Sequence, residues 1–403
     1  MGKPTLALNM IVGPGEAQEL ERCLGSFHAD KTFDEIVIVT TSGDDRVVEV
    51  AKRYTDKVIP FAWTSEEYPY GNFGGARNAA LDATTSDWVW WLDADDVCMP
   101  QHQPGLAKVR DGVLSPQRQA AELFFVEYIV RTADDGSKQV SFMRERIFKR
   151  VPKFRWRRPV HEQITPPHGQ SVHAPIGGNF AVTHMPNKPG FCSASRNLKI
   201  LEHEVITKKT RDSDMRYFYG RDLLLGGRVK EGVKILDDII KSQNGPSDQL
   251  FAACLDLIFL YAYGRQETLP LITEITPDKL VRVERWCRQA IAFSSAYAEP
   301  FVILGDVYYV KGNAVGAEKL WRQALTKRVG DRIVQFATYY GCVPSQRLAA
   351  LTLDRGDLEE ALYFNRNTIR GWKDMGFVLM RKKILKALVD QFSSTYGAKQ
   401  QTV

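Results

Sequence analysis

Short apolar runs alternate with amphipathic stretches along the first half of the chain. Runs typical of buried strands are Leu6–Val12, Glu35–Thr41, Lys57–Phe61 and Trp88–Leu92. Stretches with the apolar spacing of a helix lie between them, at Glu16–Phe27, Asp44–Tyr54 and Ala76–Ala83. This alternation predicts an α/β domain with a mostly parallel sheet and right-handed crossovers. Two later strands, antiparallel additions to that sheet, are predicted at Ala121–Thr132 and Arg144–Phe148.

The pattern changes near Pro186–Pro189, and from about Ser193 onward it is helical nearly throughout. Three segments repeat one spacing of small residues, namely Gly220, Gly227 and Gly232; Gly305, Gly312 and Ala317; and Ala349, Gly356 and Ala361. Small residues at these points let paired helices approach closely, so the spacing predicts helix-turn-helix units that resemble tetratricopeptide repeats. An ordinary helical bundle is the alternative. We therefore predict two domains, residues 1–190 and 191–403.

Composition narrows the class of protein only modestly. The 403 residues are 44% hydrophobic and 25% charged, as in ordinary globular proteins, and the net charge of +6 permits an anionic partner without requiring one. The six cysteines are scattered and form no Cys-x-x-Cys pair, which argues against a zinc site and fits a reducing cytoplasm. No apolar run reaches the roughly 20 residues that span a bilayer. We expect a cytoplasmic protein without a membrane span.

The clearest chemical signal is the acidic end of the fourth predicted strand. The buried run Trp88–Leu92 is followed by Asp93, Asp95 and Asp96. In an open α/β sheet, ligands bind at the carboxyl ends of the strands. An Asp-x-Asp pair there offers oxygen ligands to a divalent cation that bridges to phosphates. A capping turn that binds nothing is the alternative, but the preceding strand favours a nucleotide diphosphate site with Mg²⁺ or Mn²⁺.

Two further polar segments belong to the same predicted edge. The glycine-rich stretch Tyr70–Ala80 carries Arg77 in the first turn of a helix, where a guanidinium can fork onto phosphate oxygens. The turn Thr40–Asp45 follows the second strand and is placed to hold a base or ribose. Each segment also has a structural interpretation, as a flexible loop and as a helix cap respectively.

Taken in order, these motifs resemble a family 2 glycosyltransferase of the GT-A fold, in the branch with C-terminal tetratricopeptide-like repeats. The resemblance runs from about residue 5 to 240 and rests on Thr40–Asp45, Asn72–Asn78, Trp88–Asp96, Arg146–Arg150, Val160–Gln163, Val182–His184 and Arg196–Glu202. It implies inverting, metal-dependent transfer from a nucleotide-sugar, usually a UDP-sugar. A protein, peptide or glycan is the favoured acceptor.

The resemblance also implies roles for individual residues. It assigns the metal to Asp93, Asp95 and His184, with Mn²⁺ or Mg²⁺ as the cofactor, and donor binding to Val12, Thr40, Asp45, Asn72, Arg77, Asn78, Asp93 and Asp95. Glu162 is the candidate base, and His161 is expected either to orient the acceptor or to relay charge. Asp96 and Asp135 are the alternatives to Glu162 for the base role. The chain departs from the family at two places. At Thr40 the family usually has an acidic residue that contacts the nucleotide base, and at Gly13–Glu16 it usually has Lys-Asn-Glu.

The run Lys149–Arg158 leaves the acceptor open. It carries six cations around Phe154 and Trp156, a composition that suits a phosphate backbone with an extruded base stacked on a ring. A modified DNA base is therefore an alternative acceptor, and a solvated basic loop is the structural alternative. A different class of function is an inactive transferase domain that serves as an interaction scaffold. The helical domain could dock the acceptor or form a homodimer.

Overall fold

The computed structural model describes residues 3–118, 120–132, 138–165, 173–176, 179–187, 191–264, 275–328, 337–371, 380–388 and 390. By its packing the chain divides into two compact units, residues 1–232 and 233–403. The boundary predicted at residue 190 marks instead the point where the helical pattern begins. None of the described helices is both long enough and apolar enough to cross a membrane.

The first unit alternates strands and helices and then becomes helical. Its strands are β1 (Leu6–Val12), β2 (Glu35–Thr40), β3 (Val58–Pro60), β4 (Trp88–Asp93), β5 (Asp96–Val97), β6 (Leu123–Thr132), β7 (Lys138–Lys149), β8 (Arg155–Arg157), β9 (Gln163–Thr165), β10 (His173–Pro175) and β11 (Ala181–His184). Its helices are α1 (Ala17–Ser26), α2 (Ala29–Thr32), α3 (Asp45–Lys52), α4 (Phe73–Ala83), α5 (Gln103–Leu114), α6 (Phe191–Glu202) and α7 (Ser213–Leu225). Short 3-10 and π-helical turns lie at Pro116–Arg118 and His203–Thr207.

Eight strands of the main sheet follow the order β3-β2-β1-β4-β7-β6-β11-β5, and β10 pairs with β6. Strands β3, β2, β1 and β4 are parallel, whereas β7 runs antiparallel to both β4 and β6. The predicted parallel sheet with antiparallel additions is therefore confirmed. The carboxyl ends of β1, β2 and β4 meet at one edge, since Val12 pairs with Thr40 and Ile11 with Asp93.

The tryptophans of β4 divide between the two faces of the sheet, because successive side chains of a strand point in opposite directions. Trp90 packs edge-on against Phe27, Phe33 and Phe180 in the larger core layer. Trp91 faces the other side and packs edge-on against Trp156 of β8. The β8–β9 ribbon thus covers the face of the sheet that carries Trp91.

The second unit is helical. The helices after α7 are α8 (Val229–Ser242), α9 (Ser247–Tyr263), α10 (Pro277–Phe293), α11 (Glu299–Val310), α12 (Ala314–Leu325), α13 (Cys342–Asp354) and α14 (Leu358–Gly371), with a 3-10 turn at Ala337–Tyr340. Gly312 and Gly356 adopt a left-handed φ of +79° in the turns α11–α12 and α13–α14, a conformation that glycine accepts without strain. The small residues therefore stand where the helix-turn-helix prediction placed them, and the tetratricopeptide-like architecture is confirmed.

Candidate active site

The acidic residues lie at the carboxyl end of β4, where the chain turns sharply. Asp93 is the last residue of β4, and Asp96 begins β5. Because β5 pairs antiparallel with β11, His184 lies opposite Asp96. Ligand atoms of Asp95, Asp96 and His184 all lie within 4.8 Å of one another. The sheet therefore brings the imidazole of His184 beside two neighbouring carboxylates that lie much earlier in the sequence.

This cluster has the donor set of a divalent cation site. Asp96 Oδ1 and His184 Nδ1 are both buried, and neither has a hydrogen-bond partner among the described residues, although His184 Nδ1 lies 3.4 Å from Asp95 Oδ1. Buried polar atoms without partners are costly unless a ligand satisfies them. Carboxylate oxygens with one imidazole nitrogen suit Mn²⁺ better than Mg²⁺. The residues present therefore fit the implied metal.

Asp93, predicted as a metal ligand, turns toward two arginines and away from this cluster. Its Oδ1 lies 2.6 Å from Arg77 Nη2, and its Oδ2 lies 3.9 Å from Arg146 Nη1. Burial opposes ionisation of Asp93, but Arg77 and Arg146 outweigh it and hold the pKa of this carboxyl well below its usual range. The structure thus groups Asp96, and not Asp93, with Asp95 and His184. The reason is the turn, which breaks the strand alternation after Asp93.

The sequence predicted that Arg77 binds the diphosphate. In the structure, its guanidinium is instead occupied by protein contacts. Its guanidinium is 5% exposed and forks onto Asp93 and Glu162, with Nε 2.7 Å from Glu162 Oε1. It also lies 4.4 Å from the ring centre of Trp91 and 5.0 Å from that of Trp156. Two carboxylates neutralise this cation. Arg77 therefore joins the acidic strand end to Glu162.

Asp96 does not fit the role of an acceptor base. Its side chain is fully buried, accepts a hydrogen bond from the Asp93 N–H, and lies 2.9 Å from the equally buried Arg146. Burial raises the pKa of Asp96, although Arg146 acts in the opposite direction. A carboxylate enclosed in this way offers no approach for an acceptor. Asp135, the other competitor, lies outside the described residues.

His161 and Glu162 point to different parts of the unit. The Glu162 carboxylate faces Arg77, whereas the His161 ring stacks on Phe218 of α7 with centres 4.1 Å apart. His161 Nε2 also lies 3.4 Å from Asp222 Oδ2. The imidazole is therefore engaged with a helix, which leaves its predicted contact with the acceptor without structural support.

Five other predicted donor-binding residues remain besides Arg77, Asp93 and Asp95. Val12 and Thr40 lie side by side and buried at the ends of β1 and β2, at the ligand edge of the sheet. Asp45 is exposed in the first turn of α3, whose cap is the neighbouring Asp44. The other two, Asn72 and Asn78, make hydrogen bonds to backbone groups of the protein.

Asn72 and Asn78 hold backbone in place. Asn72 caps α4 by accepting the Gly75 N–H at 2.7 Å. Asn78 donates to the Trp156 carbonyl at 2.9 Å and accepts the Trp156 N–H at 3.0 Å. Both polar atoms of Asn78 are occupied, so we assign it to fixing the β8–β9 ribbon and not to donor binding.

Two charged residues near this edge were not among the predicted site residues. Glu16 accepts the Gly13 N–H at 2.7 Å, and burial followed by the repulsion of Asp95 and Asp93 raises its pKa. Arg196 of α6 lies over the ring of Phe73, 4.6 Å from its centre. Burial lowers the pKa of Arg196, and the negative charges of Glu16 and Glu162 act in the opposite direction.

Arg196 differs from Arg77 in one respect that matters for an anion. No carboxylate of the described residues lies within ion-pair distance of its guanidinium, which makes only long contacts of 3.4 Å to Asn197. The sequence contained a signal for this residue, because Arg196 opens the last motif of the resemblance. That motif suggested a helix and gave no reason to assign chemistry to its first residue.

The basic run Lys149–Arg158 is a paired and partly buried ribbon. Phe154 and Trp156 are 1% and 5% exposed, so neither ring can stack on an extruded base. Several of its cations are held by protein groups: Arg150 by the carbonyls of Thr85 and Ser86, Lys153 by Glu122, Arg155 by Asp82 and Arg158 by Asp212 and Asp214. The structure thus removes the observation on which the nucleic-acid alternative depended.

Comparison with known proteins identifies the first unit. The family described as Glycosyl transferase family 2 matches residues 15–180, which include β2, the acidic strand end and Glu162 but not β1. Residues 15–180 are a family 2 glycosyl transferase domain. The predicted family and its glycosyltransferase class are therefore confirmed for this domain.

Curated relatives of this glycosyl transferase domain are distant. The SPbeta prophage-derived glycosyltransferase SunS of Bacillus subtilis (strain 168) is 23% identical over 255 residues, which is 61% of this chain and 56% of that protein. The TPR repeat-containing protein Synpcc7942_0270 of Synechococcus elongatus is 29% identical over 160 residues, 40% of this chain and 35% of that protein. The chain thus spans about half or less of the length of these relatives.

Among solved structures, glucosyl-3-phosphoglycerate synthase from Mycobacterium tuberculosis in complex with Mn²⁺ and uridine-diphosphate-glucose is similar at a TM-score of 0.31. The identity is 13%, and the match covers 49% of this chain and 77% of that one. A likeness at this level supports no conclusion about the site.

Proposed function

We propose that the chain is an inverting glycosyltransferase that uses a divalent cation and a nucleotide-sugar, in the first instance a UDP-sugar. The proposed acceptor is a hydroxyl or thiol of a protein, peptide or glycan. The observation that carries the proposal is the cluster of Asp95, Asp96 and His184 at the carboxyl edge of a family 2 glycosyl transferase sheet.

Asp95, Asp96 and His184 would hold the cation. A bound Mn²⁺ would act as a Lewis acid toward the leaving diphosphate. Arg196 supplies a second positive charge for that diphosphate, because Arg77 is already neutralised by Asp93 and Glu162. Val12 and Thr40 lie at the strand ends where the nucleoside would rest.

Glu162 is the proposed base. Arg77 binds its Oε1, and no described residue makes a hydrogen bond to its Oε2, which is the atom available for a proton. In the proposed reaction the acceptor oxygen or sulfur bonds to C1 of the sugar as its proton moves to Glu162. The bond from C1 to the diphosphate oxygen breaks, and its electron pair leaves with the nucleoside diphosphate. Attack in line with the leaving group gives inversion.

A thermal-shift panel of UDP-glucose, UDP-galactose and UDP-N-acetylglucosamine, with GDP-mannose as a change of base, tests the donor and the metal together. Each donor is added with and without Mn²⁺. We expect one donor to raise the thermal unfolding midpoint only when Mn²⁺ is present, because the cation would be bound by both the diphosphate and Asp95. Asp95→Ala should abolish this shift.

An exposed carboxylate outside the predicted site, Asp56, provides the matched control, and Asp56→Ala should retain the metal dependence of the shift. If no donor stabilises the wild-type chain with Mn²⁺, the proposal is wrong. If Asp95→Ala keeps the full shift, the metal is bound elsewhere.

A further inference from the structure

The turn between β8 and β9 is held in a backbone conformation that its residues do not favour. Arg158 and His161 both adopt a left-handed φ, +74° and +50°, and neither is a glycine. Side chains with a Cβ are rare in this region, and such residues persist only where surrounding contacts impose the conformation. Glu162, the proposed base, follows His161 directly. Contacts that fix the backbone of His161 therefore also fix the position from which the Glu162 side chain extends.

One face of α7 supplies those contacts. Asp214, Phe218 and Asp222 follow each other at four-residue intervals and therefore lie along one side of the helix. Asp214 pairs with Arg158, which also lies 2.9 Å from Asp212. Phe218 stacks on the His161 ring with an angle of 15° between the planes, and Asp222 lies 3.4 Å from Nε2.

The opposite side of the turn rests on the first turn of α4. The Phe73 N–H donates to the Pro159 carbonyl at 2.8 Å. A Cβ on Gly74 would lie 2.3 Å from the Arg158 carbonyl oxygen, so only glycine allows this approach. The turn thus lies between α4 and α7 and makes contacts with both helices.

We propose that Asp222 and Phe218 are positioning residues, which hold His161 and through it place Glu162 beside Arg77. The inference rests on the proposed function, because it assigns a purpose to the location of the base. Asp222 is 5% exposed. Among the described residues, the side chain that contacts its carboxylate is that of His161. A buried carboxylate is costly unless a partner compensates it, so the pair is a specific arrangement and not a surface contact.

A purely structural role for these contacts makes a different prediction. Loss of packing alone would lower the unfolding midpoint and leave the turnover of the folded fraction unchanged. Loss of positioning would lower kcat and leave the donor KM unchanged, because donor binding uses the acidic strand end and not α7. The two roles therefore separate in a comparison of kcat with KM.

The test uses the full chain with Asp222→Asn and Phe218→Leu, together with Phe218→Tyr, which keeps a ring to stack on His161. Leu225→Ala, at an exposed position of the same helix, is the matched control. Hydrolysis of the stabilising UDP-sugar with Mn²⁺ measures turnover without a known acceptor. Hydrogen exchange of the peptide that contains residues 157–163 reports the turn directly.

We expect Asp222→Asn and Phe218→Leu to lower kcat by about 10- to 100-fold, the loss that follows displacement of a reacting group by about 1 Å. Hydrogen exchange in residues 157–163 should rise. The donor KM should stay within about twofold of wild type, because donor binding and positioning of the base are separate. Phe218→Tyr should restore turnover. If the wild type is active and Asp222→Asn is equally active, the positioning inference is wrong and the proposed function stands. A wild-type chain that neither binds nor hydrolyses any donor overturns both.

Discussion

Arg77 Nε lies 2.7 Å from Glu162 Oε1, and Nη2 of the same guanidinium lies 2.6 Å from Asp93 Oδ1. A single buried cation thus connects the strand end that carries the acidic cluster with the proposed base on the β8–β9 ribbon. Movement of either carboxylate changes the electrostatic environment of the other. This linkage makes the arginine the most informative position for mutation.

Replacement of Arg77 by Ala should destabilise the first unit by about 3 kcal/mol, because two carboxylates would be left without their shared counter-charge. Arg77→Lys should recover only part of this loss, since an ammonium cannot fork onto both acids. Urea denaturation with a tryptophan fluorescence readout measures both, as Trp91 and Trp156 flank the guanidinium. Arg155→Ala, which loses an exposed pair with Asp82, is the control. Equal effects of Arg77→Ala and Arg155→Ala would contradict the linkage.

Replacement of His184 should alter the choice of metal. An imidazole in the cluster favours Mn²⁺ over Mg²⁺, whereas a site of oxygen ligands alone does not. We expect His184→Ala to reduce the Mn²⁺-dependent donor shift much more than the Mg²⁺-dependent one, with a loss of Mn²⁺ affinity of about 10-fold or more. Calorimetric titration of each metal in the presence of UDP provides the affinities. His102→Ala, at the residue that precedes α5, is the control. An unchanged ratio of Mn²⁺ to Mg²⁺ affinity would exclude His184 as a ligand.

Arg196 should contribute to donor affinity through charge. Removal of one charge-assisted contact to a diphosphate costs about 1.5–3 kcal/mol, so Arg196→Ala should weaken UDP binding by roughly 10- to 100-fold. Arg196→Lys should retain part of the affinity, and the difference between the variants should shrink as salt is raised. Titration with UDP and with uridine separates the two ends of the ligand. If Arg196→Ala weakens uridine binding as much as UDP binding, the guanidinium does not act on the diphosphate.

Glu35 makes the stability of the sheet depend on pH at acid values. Burial opposes its ionisation, but hydrogen bonds from Lys57, Ser86 and the Thr85 N–H outweigh this effect and lower its pKa to about 2. The pKa of a glutamate in an unfolded chain is about 4.3, so the stabilisation is complete above about pH 5 and is lost as the pH falls toward 2.

The variant Glu35→Gln isolates this contribution. We expect it to be less stable than wild type by about 1–2 kcal/mol near neutral pH, with the difference decreasing below about pH 4. Urea midpoints of both chains between pH 3 and pH 7 supply the comparison. A difference that stays constant across this range would show that the Glu35 charge does not contribute.

The sequence predicted the strands of the site better than the direction of its side chains. β4 follows from the apolar run Trp88–Leu92, whose β-branched and aromatic residues favour a strand, and the aspartates come at its end. Which aspartates face a cation depends on the turn after Asp93 and on the pairing of β5 with β11, and neither has a local signal. The structure thus groups Asp96, and not the predicted Asp93, with Asp95 and His184, and the binding of a metal there stays a prediction.

The contacts of Glu162 could not be predicted for a similar reason. The ion pair with Arg77 joins residues 85 positions apart, and the contact between His161 and Asp222 joins residues 61 positions apart. The basic run before Glu162 suggested a surface for nucleic acid because composition alone does not distinguish paired cations from free ones. The ordered set of motifs succeeded where single residues did not, since it specified the fold and hence the edge at which they meet.

Helix α7 has a consequence for how this chain could have been assembled in evolution. It carries Gly220, the first of the repeated small residues, and a Cβ on Gly232 would lie 2.6 Å from the Gly220 carbonyl oxygen. Another face of the same helix holds His161. A gene fusion or exchange of repeats with its junction near residue 190 would remove α7 from the transferase, whereas a junction after Gly232 would preserve it. The helix that opens the repeat pattern is therefore part of the same compact unit as the glycosyl transferase domain.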